Sequence, residues 1–236
     1  MNYIKKFINY FTKFELALWL SSLGLILITF FAFQDNDYMK LCASIIGATA
    51  LILHAKGNPI AQIFMITFCI LYGIISYSCA YYGEMITYLG MSMPMAIFAL
   101  VSWLKNPFNG KKSEVKINSI TKKEYLFAFV LTIIVTISFY FILSALNTAN
   151  LIVSTLSVAT SFLACYLTFR RSPFYALFYA LNDVVLITLW IMVAITDISY
   201  LSVIICFVVF LVNDLYGFFS WLKMKKRQAK ILSDLK

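Results

Sequence analysis

The chain contains 236 residues, of which 62% are hydrophobic and only 12% are charged, and it carries a formal net charge of +9. Its mean hydropathy is +0.88, whereas a soluble domain has about 25% charged and about 45–50% apolar residues. The chain therefore has too little polar surface to cover itself in water, which excludes a soluble globular protein and indicates a membrane protein.

Eight apolar segments follow one another, bounded by charged residues, Pro, Gly or Asn. Most have the roughly 17–25 residues with which an α-helix spans the hydrocarbon of a bilayer. The alternation typical of a membrane β-barrel is absent, so helices are the only way to satisfy the backbone in lipid. The sequence predicts an all-α polytopic membrane protein with eight transmembrane helices, at about 16–33, 39–54, 59–79, 84–104, 125–146, 151–169, 173–195 and 199–222.

The positive charges test this number of spans independently. With eight spans, every Lys and Arg except Lys40 falls on one side of the membrane, and Lys40 lies opposite, beside the acidic loop QDND (34–37) and Asp197. Because basic loops remain in the cytoplasm, we predict that both termini are cytoplasmic. The basic cytoplasmic loops and their contact with anionic lipid headgroups then explain the positive net charge, and no nucleic-acid partner is predicted.

Two stretches share a pattern. SIIGATALILHAKGNP precedes the third segment and TLSVATSFLACYLTFRRSP precedes the seventh, each with a short basic turn that closes at Pro59 or Pro173. Two further spans follow each proline and end in ALVSWLKN and GFFSWLKM, so that the Ser-Trp pair at 102–103 matches the pair at 220–221. This indicates a duplicated three-helix unit.

We therefore predict a 1 + 3 + 1 + 3 arrangement of two parallel triple-helix bundles joined by a linker helix. The predicted divisions are the N-terminus with an extra first helix (1–37), the first bundle (38–104), a basic loop with the linker helix (105–149), the second bundle (150–222) and a basic tail (223–236).

Local signals at the segment ends give three smaller predictions. The loop 105–124 is interpreted as a solvated hinge, and its end, SITKKE, predicts a helix start capped by Ser119 or Thr121. Trp103 and Trp221 are interpreted as interfacial anchors. The cysteines form no CxxC pair, so no metal site, cofactor or disulfide is predicted from Cys42, Cys69, Cys79, Cys165 and Cys206.

The seventh segment places Asn182 and Asp183 about halfway across the lipid. A charge at the bilayer centre costs ~2.5–3.5 kcal/mol on insertion scales, so this face must line water or contact a partner. Helical spacing predicts one polar and aromatic side formed by Tyr175, Tyr179, Asn182 or Asp183, Leu186 and Trp190.

Two other segments carry similar side chains: Asn213 and Asp214 in the eighth, Gln62 and Tyr72 in the third. Such a wall suits a neutral or cationic, flat, polyhydroxylated solute, because aromatic faces stack on rings or hold cations and amides bond hydroxyls. For Asp183, Asn213 and Asp214 the sequence leaves three roles open: ligand contact, interhelical hydrogen bond or gate.

Four stretches resemble the PnuC family of bacterial vitamin transporters: ILYGIISYSCAYYGEMI, MSMPMAIFALVSWLKNP, NDVVLITLW and the terminal LYGFFSW. The resemblance covers nearly the whole chain from about residue 15. It implies a fold similar to the sugar-carrying SWEET proteins, doubled in one chain, in the bacterial cytoplasmic membrane. A homo-oligomer is left open.

The resemblance also implies uptake of nicotinamide riboside by facilitated diffusion, with trapping by cytosolic phosphorylation. Relatives that carry thiamine, riboflavin or deoxynucleosides keep the vitamin open, and so does Ala96, which stands where members often have Gln or Asn. By motif position Asn182 carries over to the family's site, with Trp190 on the same face and Phe178 as a matching aromatic. The predicted substrate-binding set is Asn182, Trp190, Tyr179, Tyr175, Phe178, Asp183, Asn213, Asp214, Gln62 and Tyr72.

The expected mechanism is a uniporter whose bundles rock about a midplane site. No Gly-rich nucleotide loop or intramembrane Lys or Arg supports ATP drive, whereas Asp183 and Asp214 leave proton coupling open. A membrane-embedded enzyme is disfavoured by a single His without an HExxH motif. A sugar carrier or a structural subunit is the remaining alternative.

Overall fold

The computed structural model describes residues 10–33, 37–78, 81–148, 150–195 and 198–234. Within these ranges eight helices, counting 82–105 as one span, are long and apolar enough to cross a membrane. The predicted helical membrane fold with eight spans is confirmed. Cys79 and Asp197, and the loop residues 35 and 36, lie outside the described residues.

The helices begin and end close to the predicted segments, except that the last helix continues to Asp234 and not to the predicted end at 222. In chain order they are α1 (Lys13–Ala32), α2 (Tyr38–Ala55), α3 (Ile60–Ser78), α4 (Tyr82–Ile86), α5 (Met93–Lys105), α6 (Lys122–Ala145), α7 (Leu151–Phe169), α8 (Tyr175–Ala194) and α9 (Leu201–Asp234). A π-helical turn (Thr87–Ser92) joins α4 to α5, a 3-10 turn (Ile198–Tyr200) precedes α9, and β1 (Pro107–Phe108) and β2 (Lys111–Val115) form a short antiparallel ribbon.

The π-helical turn has a sequence cause. Pro94 has no backbone N–H to donate to the preceding turn and its ring crowds the carbonyl four residues earlier. The chain relieves this by widening: the N–H of Met93 donates to the carbonyl of Tyr88, five residues back. Such turns are frequent at functional sites because they change the direction of neighbouring side chains.

Helix packing places α2, α3 and the span 82–105 side by side, and likewise α7, α8 and α9. Contacts between these groups run from α9 to α2 and from α5 to α7. Helix α6 packs mainly on α7, and most of its large apolar side chains are exposed, as expected for a peripheral helix in lipid. The grouping as 1 + 3 + 1 + 3 stays a prediction.

Helix α1 is held to the bundle by polar contacts. Thr12 and Glu15 form a capping box at its start. The same Glu15 carboxylate accepts hydrogen bonds from Lys56 at 3.0 Å and from Tyr216 at 3.0 Å, although Glu15 is itself buried. The first helix is therefore fixed at the end of the molecule that carries the basic loops.

The loop 105–124 is folded, and the prediction of a solvated hinge is wrong. The N–H of Val115 donates to the carbonyl of Gly57 at 2.9 Å, and the N–H of Asn118 donates to that of Arg171 at 3.0 Å. Val115 is fully buried. The apolar residues of the loop supply a small core, and its backbone groups find partners on three other segments. The predicted helix start is confirmed, with Thr121 accepting from the N–H of Glu124.

The tryptophans of the two Ser-Trp pairs are also placed differently from expectation. Trp103 and Trp221 are fully buried, so their interpretation as interfacial anchors is wrong. Their indole rings pack against each other with centroids 5.3 Å apart. The two matching sequence motifs thus meet in the protein interior.

Candidate functional site

An internal cavity of about 50 Å3 lies between the helices near the middle of the spans. Side chains from α3, α7, α8, α9 and the π-helical turn line it, together with Gly47 of α2. A Cβ at position 47 would lie 2.4 Å from the ring of Phe210, so a larger residue here would displace this ring from its place in the lining. The polar side chains of the lining are those of Tyr88, Ser92, Ser161, Tyr179, Asn182, Asp183 and Asp214.

Asn182 is held in place by α7. Its Oδ1 accepts a hydrogen bond from the Thr160 hydroxyl at 2.9 Å and another from the Ser157 hydroxyl at 3.2 Å. With the acceptor oxygen used in this way, the amide orientation is determined, and the Nδ2 donor remains for the cavity. Within the described residues this Nδ2 has no hydrogen-bond partner.

Asp183 and Asp214 bring carboxyl groups to the cavity from the neighbouring helices α8 and α9. Both residues line the cavity and both are buried. Asp183 Oδ2 has no hydrogen-bond partner among the described residues. The pair therefore concentrates the acidic character of the cavity lining at one point.

Phenol, thiol and hydroxyl groups complete the polar lining. The Tyr179 hydroxyl lies 3.2 Å from the Cys165 sulfur, which fixes the ring of Tyr179 at the cavity edge. Tyr88 and Ser92 reach the lining from the π-helical turn. The widened turn thus contributes directly to the shape of the cavity.

A second cavity of about 30 Å3 lies nearer the end that carries Lys40. Trp190 and Tyr72 line it, and the Trp190 indole N–H donates to the Tyr72 hydroxyl at 3.1 Å. The Trp190 ring also stacks on Tyr200 with centroids 5.3 Å apart. Three phenylalanines line both cavities and stand between them, namely Phe68, Phe207 and Phe210.

Aromatic packing closes the opposite end, below the first cavity. Tyr175 packs against Trp221 with ring centroids 4.8 Å apart and against His54 at 5.7 Å.

A separate contact joins the loop after α7 to the first turn of α6, where Arg170 forms an ion pair with Glu124. The hydrogen bond within this pair raises the pKa of the Arg170 guanidinium.

The structure divides the predicted substrate-binding residues into two groups. Tyr179, Asn182, Asp183 and Asp214 line the first cavity, and Tyr72 and Trp190 line the second. Tyr175, Phe178, Gln62 and Asn213 line neither cavity.

Asn213 instead makes a helix contact, one of the three roles that the sequence left open. Its Nδ2 donates to Ser22 on α1 at 3.0 Å and to the carbonyl of Val209 at 2.8 Å. Asn213 thus serves to attach the first helix, whereas its neighbour Asp214 turns toward the cavity.

Sequence reasoning missed several lining residues: Ser92, Tyr88, Ser161, Phe207 and Phe210. The signal for Tyr88 and Ser92 was Pro94, which stands inside an apolar span and predicts a disturbed turn before it. Phe207 and Phe210 gave no such signal, because phenylalanine is as common on lipid-facing sides as at a cavity.

Known proteins are similar to this chain over most of its length. The family model described as "Nicotinamide mononucleotide transporter" matches residues 37–223. A nicotinamide riboside transporter PnuC from Neisseria mucosa is 25% identical over 222 residues, which are 92% of this chain and 84% of the relative. The namesake from Haemophilus influenzae is 24% identical over 224 residues, which are 94% of this chain and 96% of that protein.

A solved structure has the same fold. The crystal structure of the vitamin B3 transporter PnuC aligns with a TM-score of 0.80 and 24% sequence identity, over 92% of this chain and 94% of that one. At this identity the likeness establishes the arrangement of helices.

Proposed function

The chain belongs to the nicotinamide mononucleotide transporter family, and we propose that it carries nicotinamide riboside, the substrate named for its relatives in Neisseria mucosa and Haemophilus influenzae. It is a multi-pass membrane protein with eight candidate spans among its described residues. The proposal places the substrate in the cavity beside Asn182.

The orientation of the Asn182 amide is the observation that carries this proposal. Thr160 and Ser157 occupy its oxygen, so that its Nδ2 is offered to the cavity. A carboxamide oxygen or a ribose hydroxyl of the substrate can accept from this donor. The phenol of Tyr88 and the ring of Phe210 lie in the same lining and supply faces for a flat ring.

The small volume of the cavity bears on the mechanism. Pockets that enclose small organic ligands usually measure about 300–1,000 Å3, whereas this cavity measures about 50 Å3. We infer that the structure is a closed conformation and that the two helix groups separate to admit the substrate. Rocking about a midplane site, open alternately to each side, satisfies this requirement.

The orientation of the chain in the membrane follows from the positions of its positive charges. We propose that both termini are cytoplasmic, because the basic loops then remain inside. Substrate flows down its own gradient as in a uniporter, and phosphorylation in the cytosol retains the product. The bacterial cytoplasmic membrane is the proposed location.

A related carrier of thiamine, riboflavin or a deoxynucleoside is the second candidate, because Ala96 stands where the family resemblance places an amide. Competition for uptake by excess thiamine, riboflavin and deoxynucleosides separates the candidates.

A counterflow assay in proteoliposomes tests the proposal. Vesicles loaded with unlabelled nicotinamide riboside should accumulate the labelled compound transiently, without ATP or a pH gradient. We expect Asn182→Ala to lower the initial rate at least about tenfold, because one well-placed hydrogen bond in a closed site is lost. Val184→Ala, on the exposed side of the same helix, is the matched control and should retain the rate.

Two outcomes would contradict the proposal. Equal rates in Asn182→Ala and in the control would remove Asn182 from the site. Accumulation that depends on an imposed proton gradient would exclude facilitated diffusion and favour the proton-coupled alternative.

A further inference from the structure

Two larger cavities adjoin each other at the end of the molecule that carries the basic loops. A polar cavity of about 440 Å3 and an apolar groove of about 600 Å3 share Tyr10 and Ser113 in their linings. Neither shares a described residue with the cavity beside Asn182. A polar space that continues into an apolar one fits a ligand with a charged head and an apolar tail.

The polar cavity lies where the spans end, between the start of α1, the end of α2, the ribbon and the C-terminal part of α9. Three basic and two acidic side chains line it: Lys56, Lys223, Arg227, Glu15 and Glu114. Lys56 pairs with Glu15, with Nζ and Oε2 3.0 Å apart, and Arg227 pairs with Glu114. Lys223 forms no ion pair with a described residue. One positive charge of the lining is therefore unbalanced.

The two paired cations also keep N–H donors. Lysine has three donors and arginine has five, and each ion pair uses only part of them. The Lys56 ammonium lies 4.8 Å from the centroid of the Tyr10 ring, which holds it between this ring and Glu15. Phosphate oxygens accept charge-assisted hydrogen bonds from such groups, and a guanidinium binds two of them at once. The lining therefore suits a phosphate diester, which carries one negative charge.

The apolar groove lies between α1, α2 and α3. Most of its lining is aromatic or aliphatic: Phe11, Trp19, Ile52, Leu53, Ile60 and Phe64. Its lining also includes Thr49, and the α2 residues from Thr49 to Ala55, where the helix ends, rise roughly 9 Å at 1.5 Å per residue. Ile60 is 50% exposed, so the groove is open on the outer side of the bundle. It therefore extends from the helix ends into the hydrocarbon layer, where acyl chains reach it.

Tyr10 stands at the junction of the two spaces. Its hydroxyl accepts a hydrogen bond from Asn58 Nδ2 at 3.1 Å and donates to the carbonyl of Ser113 at 3.3 Å. These contacts fix the ring, with the Lys56 ammonium over its face. A ligand that occupies both spaces passes along this ring.

We propose that the polar cavity and the apolar groove form one site for an anionic phospholipid, with its phosphate beside Lys223 and Arg227 and an acyl chain in the groove. The cytoplasmic leaflet carries the negative surface potential that attracts basic segments, and the proposed orientation places these basic loops at that leaflet. A soluble phosphate compound would contact the polar cavity alone. The proposal does not depend on which substrate is carried.

The experiment compares a charged lipid, a neutral lipid and a soluble phosphate. Delipidated protein in a non-ionic detergent is titrated with phosphatidylglycerol, phosphatidylcholine or glycerol 3-phosphate, and the thermal midpoint is followed. We expect phosphatidylglycerol to raise the midpoint with an apparent affinity at least about fivefold higher than that of phosphatidylcholine, the factor that one basic residue near an anionic headgroup provides. Glycerol 3-phosphate should leave the midpoint unchanged at the same concentrations.

A pair of charge variants tests the polar cavity. Lys223→Glu should lower the affinity for phosphatidylglycerol at least about fivefold and leave that for phosphatidylcholine unchanged. Lys226→Glu is the matched control, because Lys226 is an exposed lysine of the same helix and does not line the cavity. It makes the same change in net charge and should retain the affinity.

A pair of size variants tests the apolar groove. Ile60→Trp fills the groove at its exposed edge and should lower the affinity for both lipids at least about threefold, because the acyl chain loses its place. Ile63→Trp is the matched control, since Ile63 is 51% exposed on the same helix and lies outside the lining.

The contrary outcomes are distinct. Equal affinities for the two lipids, or equal losses in Lys223→Glu and Lys226→Glu, would overturn the selection of an anionic headgroup. Stabilisation by glycerol 3-phosphate as strong as that by phosphatidylglycerol would assign the polar cavity to a soluble phosphate compound. Unchanged lipid affinity in Ile60→Trp would remove the acyl chain from the groove. Counterflow of nicotinamide riboside is measured separately, so each of these results leaves the proposed transport function in place.

Discussion

Trp103 and Trp221 occupy equivalent positions in reciprocal contacts. The Trp103 indole N–H donates to the carbonyl of Thr168, near the end of α7, at 2.9 Å. The Trp221 indole N–H donates to the carbonyl of His54, near the end of α2, at 2.7 Å. The preceding serines repeat this relationship: Ser102 donates to Phe169 and Ser220 to Ala55. Each Ser-Trp pair therefore satisfies the last carbonyls of a helix in the opposite group.

The first prediction concerns these indoles. Trp221→Phe removes the indole donor from the buried His54 carbonyl, which keeps its hydrogen bond from the Gly57 N–H at 2.8 Å, so the loss is that of one hydrogen bond, about 0.5–1.5 kcal/mol. We expect Trp103→Phe and Trp221→Phe each to lower the thermal midpoint by a few degrees, at about 2–4 °C per kcal/mol for a chain of this size. Thermal unfolding in detergent measures this. Phe219→Leu, at an exposed position, is the control, and unchanged midpoints in both tryptophan variants would show that the hydrogen bonds contribute nothing.

The reciprocal contacts show how far a faint sequence repeat can be used. The match between the Ser-Trp pairs predicted equivalent positions, and the structure gives both pairs equivalent partners. Hydropathy sufficed for the number of helices, because lipid requires long apolar segments. The burial of both tryptophans could not be predicted, because an indole at the end of an apolar segment can lie either in the protein interior or at the membrane–water interface.

The second prediction separates the ring of Trp190 from its hydrogen bond. Trp190→Ala removes an aromatic wall of the second cavity and should lower uptake at least about tenfold, a loss of roughly 1.4 kcal/mol or more in transition-state binding. Tyr72→Phe removes only the acceptor of the indole N–H, which lies 3.1 Å away, and should lower uptake about two- to fivefold. Initial rates at several substrate concentrations provide the comparison. A larger loss in Tyr72→Phe than in Trp190→Ala would contradict this order.

The third prediction tests the π-helical turn. Pro94→Ala restores a backbone N–H and allows the span to become a regular α-helix, which removes a local cost of up to about 3 kcal/mol. A regular α-helix has fewer residues per turn than the π-helical turn, so residues 87–92 rotate about the helix axis when the turn is lost. Tyr88 and Ser92 then leave the cavity lining. We expect equal or higher thermal stability together with at least a severalfold loss of uptake. Retained uptake with raised stability would show that the turn has no role in transport.

The sequence could predict those site residues that place a polar side chain in the middle of an apolar span. An amide and a carboxyl group in mid-span identified Asn182 and Asp183, and their cost in lipid was the reason. Asn213 has the same chemistry but faces α1, because its direction depends on where the first helix packs, which no local pattern reveals. Phe207 and Phe210 reach the cavity through tertiary packing alone.

The last prediction concerns the C-terminal extension of α9, which lies in the stretch predicted as a basic tail (223–236) and is a docked helix. Gln228 is buried, its Oε1 accepts from the N–H of Ile117 at 2.9 Å, and its Nε2 donates to the carbonyl of Val115 at 3.0 Å. Gln228→Ala should therefore free the loop 105–124, whose lysines become substrates for trypsin. We expect the half-life of the intact chain in limited proteolysis to fall about tenfold. The loss of two hydrogen bonds to the loop backbone lowers the free energy of local opening by more than about 1 kcal/mol, which raises the population of the open loop. Leu232→Ala, at an exposed position of the same helix extension, is the control, because it leaves every tryptic site in place. Equal cleavage rates in the two variants would mean that the ribbon contacts, and not Gln228, hold the loop against the helix.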